Sequence, residues 1–148
     1  MYDLEVGGLE MLRRDIERAG EIPYDVQKEM VEVQAKITEE ALVYTAADML
    51  RNGGHDAKGN KVNYSTGDLA GSIKRERPKK RKSGPVSFIR FEGMQHGNRN
   101  AEVAFVNEYG KKKQPARPFI KTAMRQSNDP AANAARKVLD EYLRKKNL

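Results

Sequence analysis

From Tyr24 to Arg51 the chain repeats apolar residues every three or four positions. Val26, Met30, Val33, Ile37, Ala41 and Tyr44 fall on one stripe, and Leu42, Ala46, Met49 and Leu50 continue it with some drift. Glutamates and lysines fill the other side. That period predicts one amphipathic helix, about 42 Å long at 1.5 Å per residue. Pro23 sits where such a helix begins, and "NGGHDAKGN" (Asn52 to Asn60) ends it. A helix this long constrains a 148-residue chain severely. The remaining elements must cover its apolar stripe, or neighbouring copies must.

The other segments supply shorter signals. "YDLEV" (Tyr2 to Val6) reads as a short strand, and "LEMLRRDIERAG" places Leu9, Leu12, Ile16 and Ala19 on one helical face. In "YSTGDLAGSI" a single helical turn is expected, capped by Thr66 or Asp68. A basic segment, "KRERPKKRKSGP", follows and is broken by Pro78. "VSFIRFE" (Val86 to Glu92) reads as a strand, "GMQHGNRN" as a turn, and "AEVAFVNEYG" as the antiparallel partner strand, because Ala101, Val103 and Phe105 alternate with acidic or small residues. Pro118 opens a helix, "SNDP" interrupts it, and Ala131 to Lys146 forms a last one with Ala135, Val138, Leu139, Tyr142 and Leu143 on one face. The expected fold is α+β: a long N-terminal helix, a small antiparallel sheet of three to four strands, and C-terminal helices. The length fits one domain, residues 1–148, able to bury roughly 70% of its unfolded surface.

Charged residues make up 33% of the chain, hydrophobic ones 38%, and the net charge is +7. This balance favours anionic partners without choosing among nucleic acid, acidic protein and membrane surface. The chain has no cysteine, which removes disulfides, thiolate catalysis and cysteine-ligated zinc. Its first residues include acids and no long apolar run, so neither a secretory signal nor a membrane span is expected, and the cytoplasm is the default compartment.

Catalytic signatures are sparse. The two histidines, His55 and His96, lie in glycine-rich loops, and spacing supplies no third ligand for "GGHD". No Gly-x-Ser-x-Gly elbow and no phosphate loop occurs. The acids fall on helix surfaces among lysines, as solubilising pairs do. No enzyme activity and no cofactor are expected. The loudest charge feature is Lys74, Arg75, Arg77, Lys79, Lys80, Arg81 and Lys82, with Lys111, Lys112 and Lys113 as a second cluster. Such runs neutralise phosphates when they bind DNA. Against that, the run carries no aromatic residue of the kind that stacks on bases, and a solvated hairpin tip is the plainer alternative.

"FVNEYGKKKQPARPFIKTAM" (Phe105 to Met124) is ordered too specifically for a casual loop. Gly110 permits a turn that a side chain would hinder, the lysines stay in water, Pro115 and Pro118 stiffen the return, and Phe119 inserts as the first apolar anchor of a helix. Arg117 is expected to reach the carboxylate of Glu108.

Three segments together, "VGGLEMLRRDIERAG", "STGDLAGSI" and "AFVNEYGKKKQPARPFIKTAM", resemble the siphophage neck and tail-completion proteins, the "gene product ten" family of lambdoid-type phages and prophages. The matching positions are Val6, Gly8 and Leu9; Thr66, Gly67, Leu69, Ser72 and Ile73; and Glu108, Tyr109, Gly110, Ala116, Arg117, Pro118, Phe119 and Ala123. The order and rough spacing agree over nearly the whole chain. The run Lys74 to Lys82 is more basic than the family pattern. The resemblance implies a structural virion protein of the neck or tail, assembled in the host bacterial cytoplasm. It would form a homo-oligomeric ring of about six copies around the DNA channel, between head-closure and tail-tube or terminator proteins. It implies no catalysis and no membrane. A tail terminator ring and a basic DNA-binding protein are the alternatives.

Overall fold

The computed structural model describes residues 22–50, 54–55, 58, 61–62 and 68–146. The expectations for Tyr2 to Gly20, and the motif residues Gly8, Leu9, Thr66 and Gly67, lie outside them.

Two long helices dominate the described residues. Helix α1 spans Tyr24–Met49. Between it and the second long helix come a two-residue pair, β1 (Gly54–His55) with β2 (Lys61–Val62), the single turn α2 (Asp68–Gly71), strands β3 (Ile73–Arg75), β4 (Lys79–Arg81), β5 (Gly84–Val86) and β6 (Ile89–Phe91), the small hairpin β7 (Met94–Gln95) with β8 (Asn98–Arg99), and helix α3 (Asn100–Tyr109). Helix α4, Phe119–Lys145, is the last of the described elements. This is the α+β class, with the strands in two-stranded antiparallel pairs rather than one sheet of three or four.

The most extensive contact is α1 against α4. They run antiparallel, since Thr45 near the end of α1 donates its hydroxyl to the carbonyl of Phe119 at the start of α4, 3.0 Å away, sharing it with Leu42 at 3.2 Å. The buried positions of α4 are Phe119, Ala123, Ser127, Ala131 and Ala135, one i±4 ridge. Helix α1 meets it with Ala35, Leu42, Thr45 and Ala46. Small side chains on both sides let the backbones approach closely and leave little room for a void.

The core gathers where this pair meets the shorter elements: Leu42, Ala46, Leu50, Leu69, Ile73, Ala104, Phe119 and Ala123, flanked by Ile89, Phe91, Val103 and Ile120. Phe119 is 0% exposed and meets the edge of Phe91, ring centroids 5.9 Å apart. Burying one such side chain stabilises by about 1.5–3 kcal/mol.

Three sequence expectations are corrected. "NAEVAFVNEY" is helix α3, not a strand: Ala104 and Glu108, four apart, both turn inward, whereas Phe105, which an alternating strand would bury, is 62% exposed. "SNDP" does not interrupt α4, which continues through Pro130. Proline removes one backbone bond and crowds the preceding turn, at about 3 kcal/mol. Ser127 and Ala131 are buried on either side of it, so the contact with α1 carries the helix across. Tyr44 is 66% exposed; Thr45 and Ala46 take the inward positions instead.

Candidate functional site

The stretch after α3 forms a tight joint. Gly110 ends α3 with φ +78°, and its amide donates to the Val106 carbonyl at 2.8 Å. A Cβ there would lie 2.8 Å from both the Ala116 nitrogen and the Gln114 carbonyl oxygen, so sterics as well as backbone angle demand glycine. Lys111 and Gln114 then exchange two backbone bonds of 2.9 Å, closing a turn whose lysines 111, 112 and 113 are exposed.

The side chains of Asn107 and Glu108 hold the return. Asn107 Oδ1 accepts from Arg117 Nη2 at 2.7 Å and from Gln114 Nε2 at 3.2 Å, and its carbonyl accepts the Arg117 amide at 2.6 Å. Asn107 Nδ2 donates to the Val103 carbonyl at 2.9 Å. The expected Arg117–Glu108 pair is therefore replaced by Arg117–Asn107. Adjacent residues on α3 point about 100° apart, and only Asn107 faces the incoming guanidinium. Burial, without a carboxylate to offset it, pulls the Arg117 pKa below its usual value.

Glu108 does something else. Its two oxygens accept the amides of Ile120 at 2.7 Å and Lys121 at 3.0 Å. These are the second and third amides of α4, which an N-cap side chain normally serves; here the N-cap is Pro118, which has no acceptor. A carboxylate from another helix thus caps α4 and lies at the positive end of its dipole. Sequence reading missed this role because it assigned residue 108 to a strand end. Of the other motif positions, Leu69, Ile73 and Ala123 lie in the core, and Ser72 closes the α2 turn by donating to the Leu69 carbonyl at 2.6 Å. Tyr109 points outward, 70% exposed, its ring tilted at 48° against that of exposed Phe105, centroids 4.8 Å apart. Ala116 and Pro118 are exposed.

The basic segment forms a ribbon, as expected of a hairpin. Strand β3 pairs with β6, matching Ile73 with Phe91 and Arg75 with Ile89; farther out β4 pairs with β5, matching Lys79 with Val86 and Arg81 with Gly84. Pro78, lacking an amide hydrogen, lies between the two ladders. Alternation at the base turns Ile73 into the core, Lys74 outward and Arg75 toward α1. There Arg75 donates to Glu39 at 2.8 Å and Glu32 at 3.2 Å, and the Glu39 bond, against the desolvation that pulls the other way, holds its pKa above the usual value. One member of the predicted basic cluster is therefore a brace between ribbon and helix.

At the next level Glu76 accepts from Arg90 at 2.9 Å; Lys79 Nζ lies 3.2 Å from its other oxygen, close enough for charge attraction but not aligned as a hydrogen bond. The outer residues Lys80, Arg81 and Lys82 have no carboxylate partner among the described residues, and neither do exposed Lys74 and Arg77. Two aromatics invisible to the sequence pattern join them. The Phe88 ring has the guanidiniums of Arg81 and Arg90 over it, at 5.8 and 5.1 Å, and Lys80 stands 5.8 Å over Tyr24.

The ribbon and the joint occupy opposite ends of α1. Lys80 meets Tyr24, whereas Thr45 meets Phe119. Twenty-one residues of helix separate these points, about 32 Å. The two basic clusters are not one patch. No group of three or more histidine, aspartate or glutamate side chains that could hold a metal gathers among the described residues. Among them no helix is long and apolar enough to cross a membrane. Compared with known protein families, curated proteins and solved structures, the chain matches none.

Proposed function

We propose that the chain is a structural subunit of a phage or prophage particle, placed at the head-to-tail junction and working without catalysis as one copy of a ring. The observation that carries this reading is the division of labour in the joint. Asn107, Glu108, Gly110 and Phe119 are all engaged in fixing how α4 leaves α3, and the side-chain oxygens of Asn107 and Glu108 are taken up by that return. A subunit of this kind must hold its surfaces at set angles to its neighbours. The exposed, mutually packed Phe105 and Tyr109 on α3, beside that joint, supply an apolar surface suited to a neighbouring copy.

The test is deletion of the gene from the phage or prophage that carries it. DNA-filled heads and separate, unjoined tails are expected by electron microscopy, with head-closure and tail-tube genes on either side. Infectious particles with attached tails would refute the reading. Density for the chain at the top of the tail tube in intact virions, rather than in the neck, would assign it to the terminator position.

A further inference from the structure

We infer that the β4–β5 ribbon is a contact surface for duplex DNA, gripping the phosphate backbone without reading sequence. The inference does not depend on the junction reading. Its basis is the difference between cations already used by the fold and cations left over. Arg75 is bound to two carboxylates of α1, and Arg90 and Lys79 share Glu76. Beyond that base the ribbon carries only positive charge.

Lys80, Arg81 and Lys82 occupy its tip, with Arg77 and Lys74 along the stem, all exposed. Strand β5 lies against α1, so β4 is the outer strand and every one of its residues faces solvent. Alternation along a strand sends Lys80 to one face and Arg81 to the other, so the ribbon is positive on both faces.

Blocking an exposed edge against unwanted strand pairing needs a lysine or two on that edge; it does not need cations on both faces and around the turn. Aromatic packing also holds some of these cations in place: Arg81 against Phe88, and Lys80 over Tyr24. Charges held so lose less freedom when they meet a polyanion. A two-stranded ribbon has the width that the major groove of B-form DNA admits. Lysines dominate the tip, and they neutralise phosphates as point charges rather than fork onto base edges. An acidic face on a second copy is the competing partner. Duplex DNA fits better because its charge is dense and regular along both sides of the groove that would receive the ribbon.

The experiment measures fluorescence anisotropy of the full chain with a labelled duplex of roughly 20 base pairs, from 50 to 200 mM salt. Five phosphates neutralised by Lys74, Arg77, Lys80, Arg81 and Lys82 give a log–log salt slope of about −4.5, an affinity loss of roughly 500-fold over that range. In the variant carrying Lys80→Gln, Arg81→Gln and Lys82→Gln the slope falls to about −1.8 and the loss to roughly 12-fold. A control carrying Lys121→Gln, Arg136→Gln and Lys137→Gln, exposed positions on α4 with the same change in net charge, keeps the wild-type slope. Circular dichroism confirms that all three proteins are folded.

Equal losses in ribbon and control variants, or no binding by the wild type at 50 mM salt, would overturn the inference while leaving the deletion phenotype free to support the junction. Unchanged DNA binding by the ribbon variant, with self-association lost in sedimentation, would assign the cations to a second copy and likewise overturn it.

Discussion

Replacing Glu108 by alanine tests whether a carboxylate on one helix caps another. The wild-type side chain is buried and accepts two amides, at 2.7 and 3.0 Å. Removing an N-cap acceptor costs about 1 kcal/mol, and losing a partly buried negative charge from a helix N-terminus costs up to ~2 kcal/mol more. The two amides are then left without a local substitute, because Pro118 offers none. Together these give about 2–4 kcal/mol for Glu108→Ala, and roughly half of that for Glu108→Gln, which keeps an acceptor oxygen but not the charge. Urea unfolding followed by circular dichroism reads the effect. With a slope of about 2 kcal/mol per molar, a loss of 3 kcal/mol moves the midpoint down by about 1.5 M. Adding Pro118→Asp to the alanine variant places an acceptor at the N-cap itself and should recover about 1 kcal/mol. If Glu108→Ala unfolds within ~0.5 kcal/mol of wild type, the capping argument is wrong. If Pro118→Asp rescues nothing, the loss comes from packing and not from the amides.

Gly110→Ala is expected to destabilise by about 2–3 kcal/mol in the same assay, since the new methyl meets backbone atoms at 2.8 Å and the angle is strained. For Arg75→Met, which leaves Glu32 and Glu39 without their cation, the expected loss is about 1 kcal/mol, smaller at high salt; thermal melts at two salt concentrations show it. Pro130→Ala should instead stabilise, by roughly 1–3 kcal/mol, because it restores an amide to the middle of α4; a lower melting temperature would mean that the packing requires the proline itself.

Much of this architecture is readable from residue order. The period of α1, the turn at "GMQHGNRN", the hairpin broken at Pro78, and Phe119 as the anchor after a glycine turn all follow from local rules. What escaped was decided at a distance. A ten-residue run such as "NAEVAFVNEY" has apolar residues compatible with two periods, and the choice of helix rests on Ala104 and Glu108 both facing the core. Pro130 signals a break that packing on either side overrides. Arg117 has a carboxylate one residue from its true partner, and a sequence cannot say which of two neighbours on a helix faces the incoming chain. The aromatics beside the basic run, Tyr24 and Phe88, come from outside it and join it only through the fold.

The bond between Thr45 and Phe119 joins residues 74 positions apart. Everything between them is an excursion from one end of the helix pair back to the same end, and of the ribbon only its base, Ile73, Ile89 and Phe91, joins the core cluster. Closing such an excursion grows costlier only slowly with its length, about 0.6 kcal/mol for each doubling. Insertions and changes of charge at the exposed tip of the outer hairpin, beyond the contact of β5 with α1, therefore leave the core of the helix pair almost undisturbed. Evolution is free to retune this appendage to whatever lies opposite it, while the scaffold that aims it stays fixed.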